Sequence, residues 1–199
     1  EFTVWNHGNN WCPPNEDDTA AVFMTSNRDE LVGLLSTFDN PILSDGTGTD
    51  IATGWGMRAL DPAWRGALGG HFPDRPADYD DERTLKIMVV MTDGGITQQR
   101  RPKPPWQEGV DPPHVGTSGT YDFYNKSTAR SNFLDACSFD NTNGVVIYTI
   151  AFQVSGSSNR QLMEDCATKP DQYYDVQGLD ISAAFSSIAS DLNRLRLTR

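Results

Sequence analysis

The chain has 199 residues, 37% hydrophobic and 10% aromatic, enough for one sizeable domain with a real core. Sixteen basic against 27 acidic residues leave a net charge of −11 with no clustered basic face, which argues against nucleic acid as a partner and fits solubility and divalent cations. No apolar run approaches the roughly 18 residues of a membrane span.

The chain opens EFTVW, without Met or a visible secretory signal, which reads as a processing boundary. Residues 1–19 form a polar, turn-rich lead-in. AAVFMT, 20–25, suggests a short buried strand. Ser26 then reads as a helix N-cap with Asp29 three residues on, and Leu31, Leu34, Leu35 and Phe38 share one helical face before Asn40-Pro41 stops it. The Gly-Thr stretch 46–49 leads into a helix running to Leu60. Residues 62–84 read as a loop whose acids Asp78, Asp80, Asp81 and Glu82 lack calcium-loop spacing and make a solvated turn. LKIMVVMT, 85–92, is continuously apolar, as expected of a strand covered on both faces of a parallel sheet. Residues 95–120 hold five prolines and read as a long surface loop, with a basic knot at Arg100, Arg101 and Lys103 and a candidate contact residue, Trp106, beside Pro104-Pro105. A helix over 127–139 turns Phe133, Leu134 and Cys137 inward. Asn143-Gly144 is a turn, VVIYTIAF (145–152) a second buried strand, 158–167 a short helix and QYYDV (172–176) a third strand. The last helix carries Ile181, Phe185, Ile188, Ala189, Leu192 and Leu195 on one face.

Apolar strands alternating with amphipathic helices imply βαβ units and a doubly wound α/β sheet, where ligands sit beyond the carboxyl ends of the strands. Asp93 stands at such an end, followed by two glycines. A hard cation such as Mg2+ takes oxygen ligands and keeps several waters, so a carboxylate plus loop hydroxyls begins a site. The alternative is a polar strand stop. His7, His71 and His114 stand apart in loops, no spacing suggests zinc, and neither a nucleophile elbow nor a phosphate-binding loop is present. With no second carboxylate or nucleophile at an interpretable spacing, a metal hydrolase is disfavoured and the chain reads as no enzyme. The three cysteines, Cys12, Cys137 and Cys166, leave open one pair plus an orphan or three reduced thiols.

KIMVVMTDGG resembles the fourth strand of a von Willebrand factor A domain, whose T-D-G aspartate belongs to a metal-ion-dependent adhesion site. GTGTDIATGWGMRALDP resembles the loop and helix that carry that site's threonine. These motifs, followed by GVVIYTIAF, DCAT, QYYDV and the closing AFSSIASDLNRLRLT, are similar to the C-terminal part of TadG-like proteins of the bacterial tight-adherence (Flp) pilus machinery. The resemblance runs from about residue 20 to the C-terminus. It departs from the family pattern at Gly54, where a larger residue is common, and the Pro-rich loop after TDG carries no family motif. It implies a von Willebrand A-like (Rossmann-like) domain over 20–199, metal-site residues Thr47 and Asp93 with Thr49 as the alternative hydroxyl, and a Cys137–Cys166 disulfide. D-x-S-x-S, which the family's metal site also requires, is absent from the chain. The resemblance therefore implies an incomplete domain lacking its first strands, with the 85–92 strand edge covered by the upstream half of the same polypeptide, by another chain, by a swapped copy or by a strand from residues 1–25. The function it implies is a protein-binding adhesion module of a pilus or surface-attachment system, periplasmic or at the cell surface, with an inner-membrane-anchored full-length protein. The alternative is a scaffold or tip subunit with a vestigial metal site.

Overall fold

A run such as VVIYTIAF has no polar side to offer water, so it belongs between two layers. A computed structural model, which describes residues 22–23, 25–37, 47–67, 74–102, 120–178 and 180–197, places it there. In chain order the elements are α1 (Arg28–Thr37), α2 (Thr49–Leu60), β1 (Ile87–Thr92), β2 (Gln99–Pro102), β3 (Thr120–Tyr124), α3 (Lys126–Thr142), β4 (Val146–Phe152), α4 (Ser157–Cys166), β5 (Tyr173–Val176) and α5 (Ser182–Leu197). β1, β4 and β5 form a parallel sheet in the order β1–β4–β5, with Ile87 opposite Val146 and Thr149 opposite Tyr173.

Strand alternation divides the core between two layers of helices. Met88 and Val90 of β1 and Ile147 and Ala151 of β4 pack with Phe133 of α3 and Leu162 and Met163 of α4. On the opposite face Tyr148 and Ile150 pack with Ala184 and Ile188 of α5. The Thr149 hydroxyl donates to the Met163 carbonyl at 2.8 Å, which satisfies a buried polar group inside the first layer. Cys137 and Cys166 are joined by a disulfide that ties α3 to α4 across a sequence separation of 29.

The structure differs from the sequence expectations at several places. Among the described residues β1 pairs with β4 alone, which leaves the edge that the missing motif implied, but it is covered on one face rather than two. Val89 and Met91 lie opposite Tyr148 and Ile150 in register, yet they are 41% and 44% exposed because α5 packs over β4 rather than β1. On the α5 side Ala184 and Ile188 are buried and Ile181 and Leu192 pack against the same cluster, as expected for the last three, while Phe185 and Ala189 are exposed. Val22, Phe23 and Thr25 lie in no strand. Asn27, not Ser26, caps α1: it immediately precedes the first helical residue, and its Oδ1 accepts from the Asp29 and Glu30 amides at 3.0 and 3.4 Å. The apolar face of α1 is not buried, with Leu31 and Leu35 exposed; Phe38 lies outside the described residues. The ends of the expected 95–120 loop form an antiparallel pair, β2 with β3, because Gln99–Pro102 and Thr120–Tyr124 exchange backbone bonds across it. The acidic turn is ordered locally: Asp81 accepts from the Arg83 amide at 2.9 Å, and Asp78 pairs with Arg65 at 2.6 Å.

One buried cluster carries charge. Lys86 donates to the Leu60 carbonyl at 2.5 Å and its ammonium lies 3.8 Å from the Tyr79 ring centroid. Burial pushes the lysine below its ordinary range. Asp140 of α3 is fully buried, and among the described residues neither carboxylate oxygen has a hydrogen-bond partner. Burial raises it to about 6, and Asp61 adds to the rise while Lys86 opposes it.

Two outcomes follow from this packing. Replacing both Cys137 and Cys166 by Ser lowers stability by about 3 kcal/mol in the chain-entropy account, read as a shift in the urea midpoint. Asp140 is raised above its unfolded value, so its contribution is fully present below that value and is lost as pH rises toward about 6. The wild-type chain therefore loses on the order of 2 kcal/mol from this group between roughly pH 4 and 7. Asp140→Asn flattens that segment of the pH profile and stabilises the fold above pH 7, measured by urea unfolding across a pH series.

Candidate functional site

The carboxyl end of β1 is built from threonines. Thr92, the last strand residue, is buried, and its hydroxyl accepts from the Thr49 hydroxyl at 3.4 Å while bonding the Gly94 carbonyl at 3.1 Å. Thr49 opens α2 behind Gly48, and Thr53, one turn on, donates its hydroxyl to the Thr49 carbonyl at 2.7 Å. Thr47 is anchored to the segment after β1: its amide donates to the Thr97 hydroxyl at 2.9 Å, and the Thr97 amide returns a bond to the Thr47 carbonyl at 3.2 Å. The α2 entry and the β1 exit are thus held together from both sides. A Cβ at position 94 would lie 2.8 Å from the Thr47 hydroxyl and would force it to turn away, so glycine there keeps that hydroxyl in place.

Thr47, Thr49 and Asp93 consequently line one groove of about 680 Å³, which continues along β1 past Val89 and Met91 and is walled by the small residues Ala52, Thr53 and Gly56 of α2. Asp93 is exposed at its rim. Among the described residues no strand pairs with β1 on the side away from β4. The groove therefore runs beside an open row of backbone donors and acceptors.

The donors at the rim are of the hard-oxygen type that suits Mg2+, but they are few. Thr49 is buried with its hydroxyl committed to Thr92, which leaves Thr47 and Asp93. Among the described residues no three His, Cys, Asp or Glu side chains gather as a metal-binding group. The residues present fit part of a cation site and need further oxygen ligands to complete it.

Asp50 was not singled out by sequence. It sits in the first turn of α2, where an acid suits the helix dipole, and it is 5% exposed. Its carboxylate accepts from the Tyr124 hydroxyl at 2.5 Å and from Gln99 Nε2 at 3.4 Å. The only sequence signal was an acid in a first helical turn; its partners come from β2 and β3, about 50 and 74 residues later. Asp50 lines a different cleft from Asp93. Trp106, the three histidines, Lys103 and Cys12 lie outside the described residues.

No protein-family model matches the chain, and no curated protein matches it either. Solved structures do. The pilus adhesin SpaC from Lactobacillus rhamnosus GG superposes with a TM-score of 0.52 at 17% identity, over 83% of this chain and 21% of that one. The vWF domain of the type V pili tip protein Mfa5 from Porphyromonas gingivalis gives 0.50 at 12% identity, over 81% of this chain and 72% of that one. The fold is von Willebrand factor A-like. In this A-like domain the rim at Thr47 and Asp93 lies where an open parallel sheet presents its ligand-facing end. The chain spans about a fifth of the SpaC chain's length. No helix among the described residues is long and apolar enough to cross a membrane.

Thr92→Val removes the acceptor for Thr49 and leaves a buried hydroxyl without its partner. The expected cost is about 1–2 kcal/mol in urea unfolding, with the sheet's circular dichroism unchanged.

Proposed function

We propose that this chain is a protein-binding adhesion module of a bacterial pilus or surface-attachment system, non-catalytic and located at the cell surface or in the periplasm. The observation that carries this reading is the groove beside the open β1 edge, which ends at Asp93 and Thr47. An extended segment laid along β1 would satisfy its unpaired backbone groups and cover Val89 and Met91. That segment belongs to the upstream part of the same polypeptide or to another chain. A divalent cation, Mg2+ for preference, would be held by Asp93 and Thr47 with the remaining oxygens supplied by that segment. It would offer the binding partner a Lewis-acidic contact. Support comes from the likeness of fold to a pilus adhesin and a pilus tip domain, and from the resemblance of KIMVVMTDGG and GTGTDIATGWGMRALDP to the metal-site segments of von Willebrand A domains and of TadG-like proteins among them.

A second reading, a scaffold or tip subunit with a vestigial metal site, is favoured by the single carboxylate at the rim. Titration calorimetry with Mg2+ and Ca2+, on the chain and on Asp93→Ala, separates the two. Heat that Asp93→Ala abolishes supports the adhesion site. Equal, negligible heats remove the metal from this chain. Binding to purified pilin subunits that EDTA leaves untouched favours the scaffold.

A further inference from the structure

A second cleft, of about 700 Å³, opens where α2, α3 and β3 meet, and it shares no lining residue with the groove along β1. Its walls carry three rings that the fold leaves about half exposed, Trp55 at 48%, Phe123 at 49% and Phe139 at 42%, and Ile51, 46% exposed, lines it too. Between them lie polar groups of both signs. Asp50 is buried and pinned by the Tyr124 hydroxyl, while Asn132 and Asp135 stand exposed on α3. Arg58 donates to the Gly54 carbonyl at 2.8 Å, and its guanidinium carbon lies 5.6 Å from the Trp55 ring centroid.

This combination selects among ligand classes. A cation would be drawn to the aromatic faces, but the Arg58 guanidinium beside Trp55 repels a second positive charge. An anion would meet the carboxylates of Asp50 and Asp135. A wholly apolar ligand would strip water from Asp135, Asn132 and Arg58 without replacing it. A neutral polyhydroxylated ring meets none of these objections. Its C–H face packs on an aromatic ring, and each hydroxyl both donates to a carboxylate and accepts from an amide or guanidinium. The cleft's volume lies within the range of small-ligand sites and accommodates about two sugar rings.

We propose that the cleft bounded by Trp55, Phe123, Asp50, Arg58 and Asp135 is a binding site for neutral saccharides, separate from the Asp93 rim. Saturation-transfer NMR on the whole chain tests it, with cellobiose, lactose and chitobiose as neutral probes, choline as the cation and sialic acid as the anion. At least one neutral disaccharide should receive saturation at its ring C–H protons. Trp55→Ala and Asp135→Ala should each weaken its binding about tenfold, the size of one stacking or charge-assisted contact. Asp135 is exposed, so its variant keeps the test valid should Trp55→Ala fail to fold. The proposal is overturned by the absence of transfer to every neutral probe, by tighter binding of choline or sialic acid, or by undiminished binding in a folded variant.

Discussion

Ile147 and Ala151 pack against α3 and α4, Tyr148 and Ile150 pack against α5, and β1 and β5 pair with either edge. β4 thus has no side left for water, and the other elements take their places from it. Parallel pairing on both edges requires crossovers, and α3 and α4 supply them on one face. Their disulfide locks that layer to itself at the point where both helices meet the core. With two faces and two edges satisfied, the strand needs no polar residue except Thr149, whose hydroxyl finds the Met163 carbonyl.

Among the described residues β1 is satisfied on one edge and one face only, and that asymmetry places the candidate site. Its buried face, Met88 and Val90, holds it to the core, while its free edge and its Val89 and Met91 face remain open. The same strand ends at Thr92 and Asp93, where the α2 entry is drawn in by Thr47, Thr49 and Thr97. An open edge and an acid-tipped rim therefore share one groove. Strand addition and cation binding would reinforce each other there, because a segment seated on the edge arrives beside the rim that lacks ligands.

Charge is distributed in two ways across the molecule. Asp140 and Lys86 are charges that the core tolerates at a cost, visible in the carboxyl group's rise to about 6 and in the lysine's fall. Asp50, also buried, differs in its partners: Tyr124 and Gln99 donate to it, whereas the Asp140 carboxylate has no donor among the described residues. The difference is one of partners rather than of depth. The cluster beneath Leu60 therefore bears on stability and its dependence on pH.

The sequence by itself determined the alternation of buried strands and amphipathic helices, the parallel α/β class, and Asp93 at a strand end. Those properties follow from periodicity and from where an apolar run stops, both local. The motif pattern implied that the 85–92 strand lacks a neighbour on one side; only the tertiary structure decided that its Val89 and Met91 face is also left uncovered, because LKIMVVMT reads the same whether or not a helix packs over it. It alone joined Gln99–Pro102 to Thr120–Tyr124 across a Pro-rich excursion that local pattern reads as loop. It alone brought Asp50 to Tyr124 and set Trp55 and Phe123 across one cleft. Such contacts link residues dozens of positions apart, and no local pattern of apolar and polar residues encodes which distant donor a first-turn carboxylate will meet.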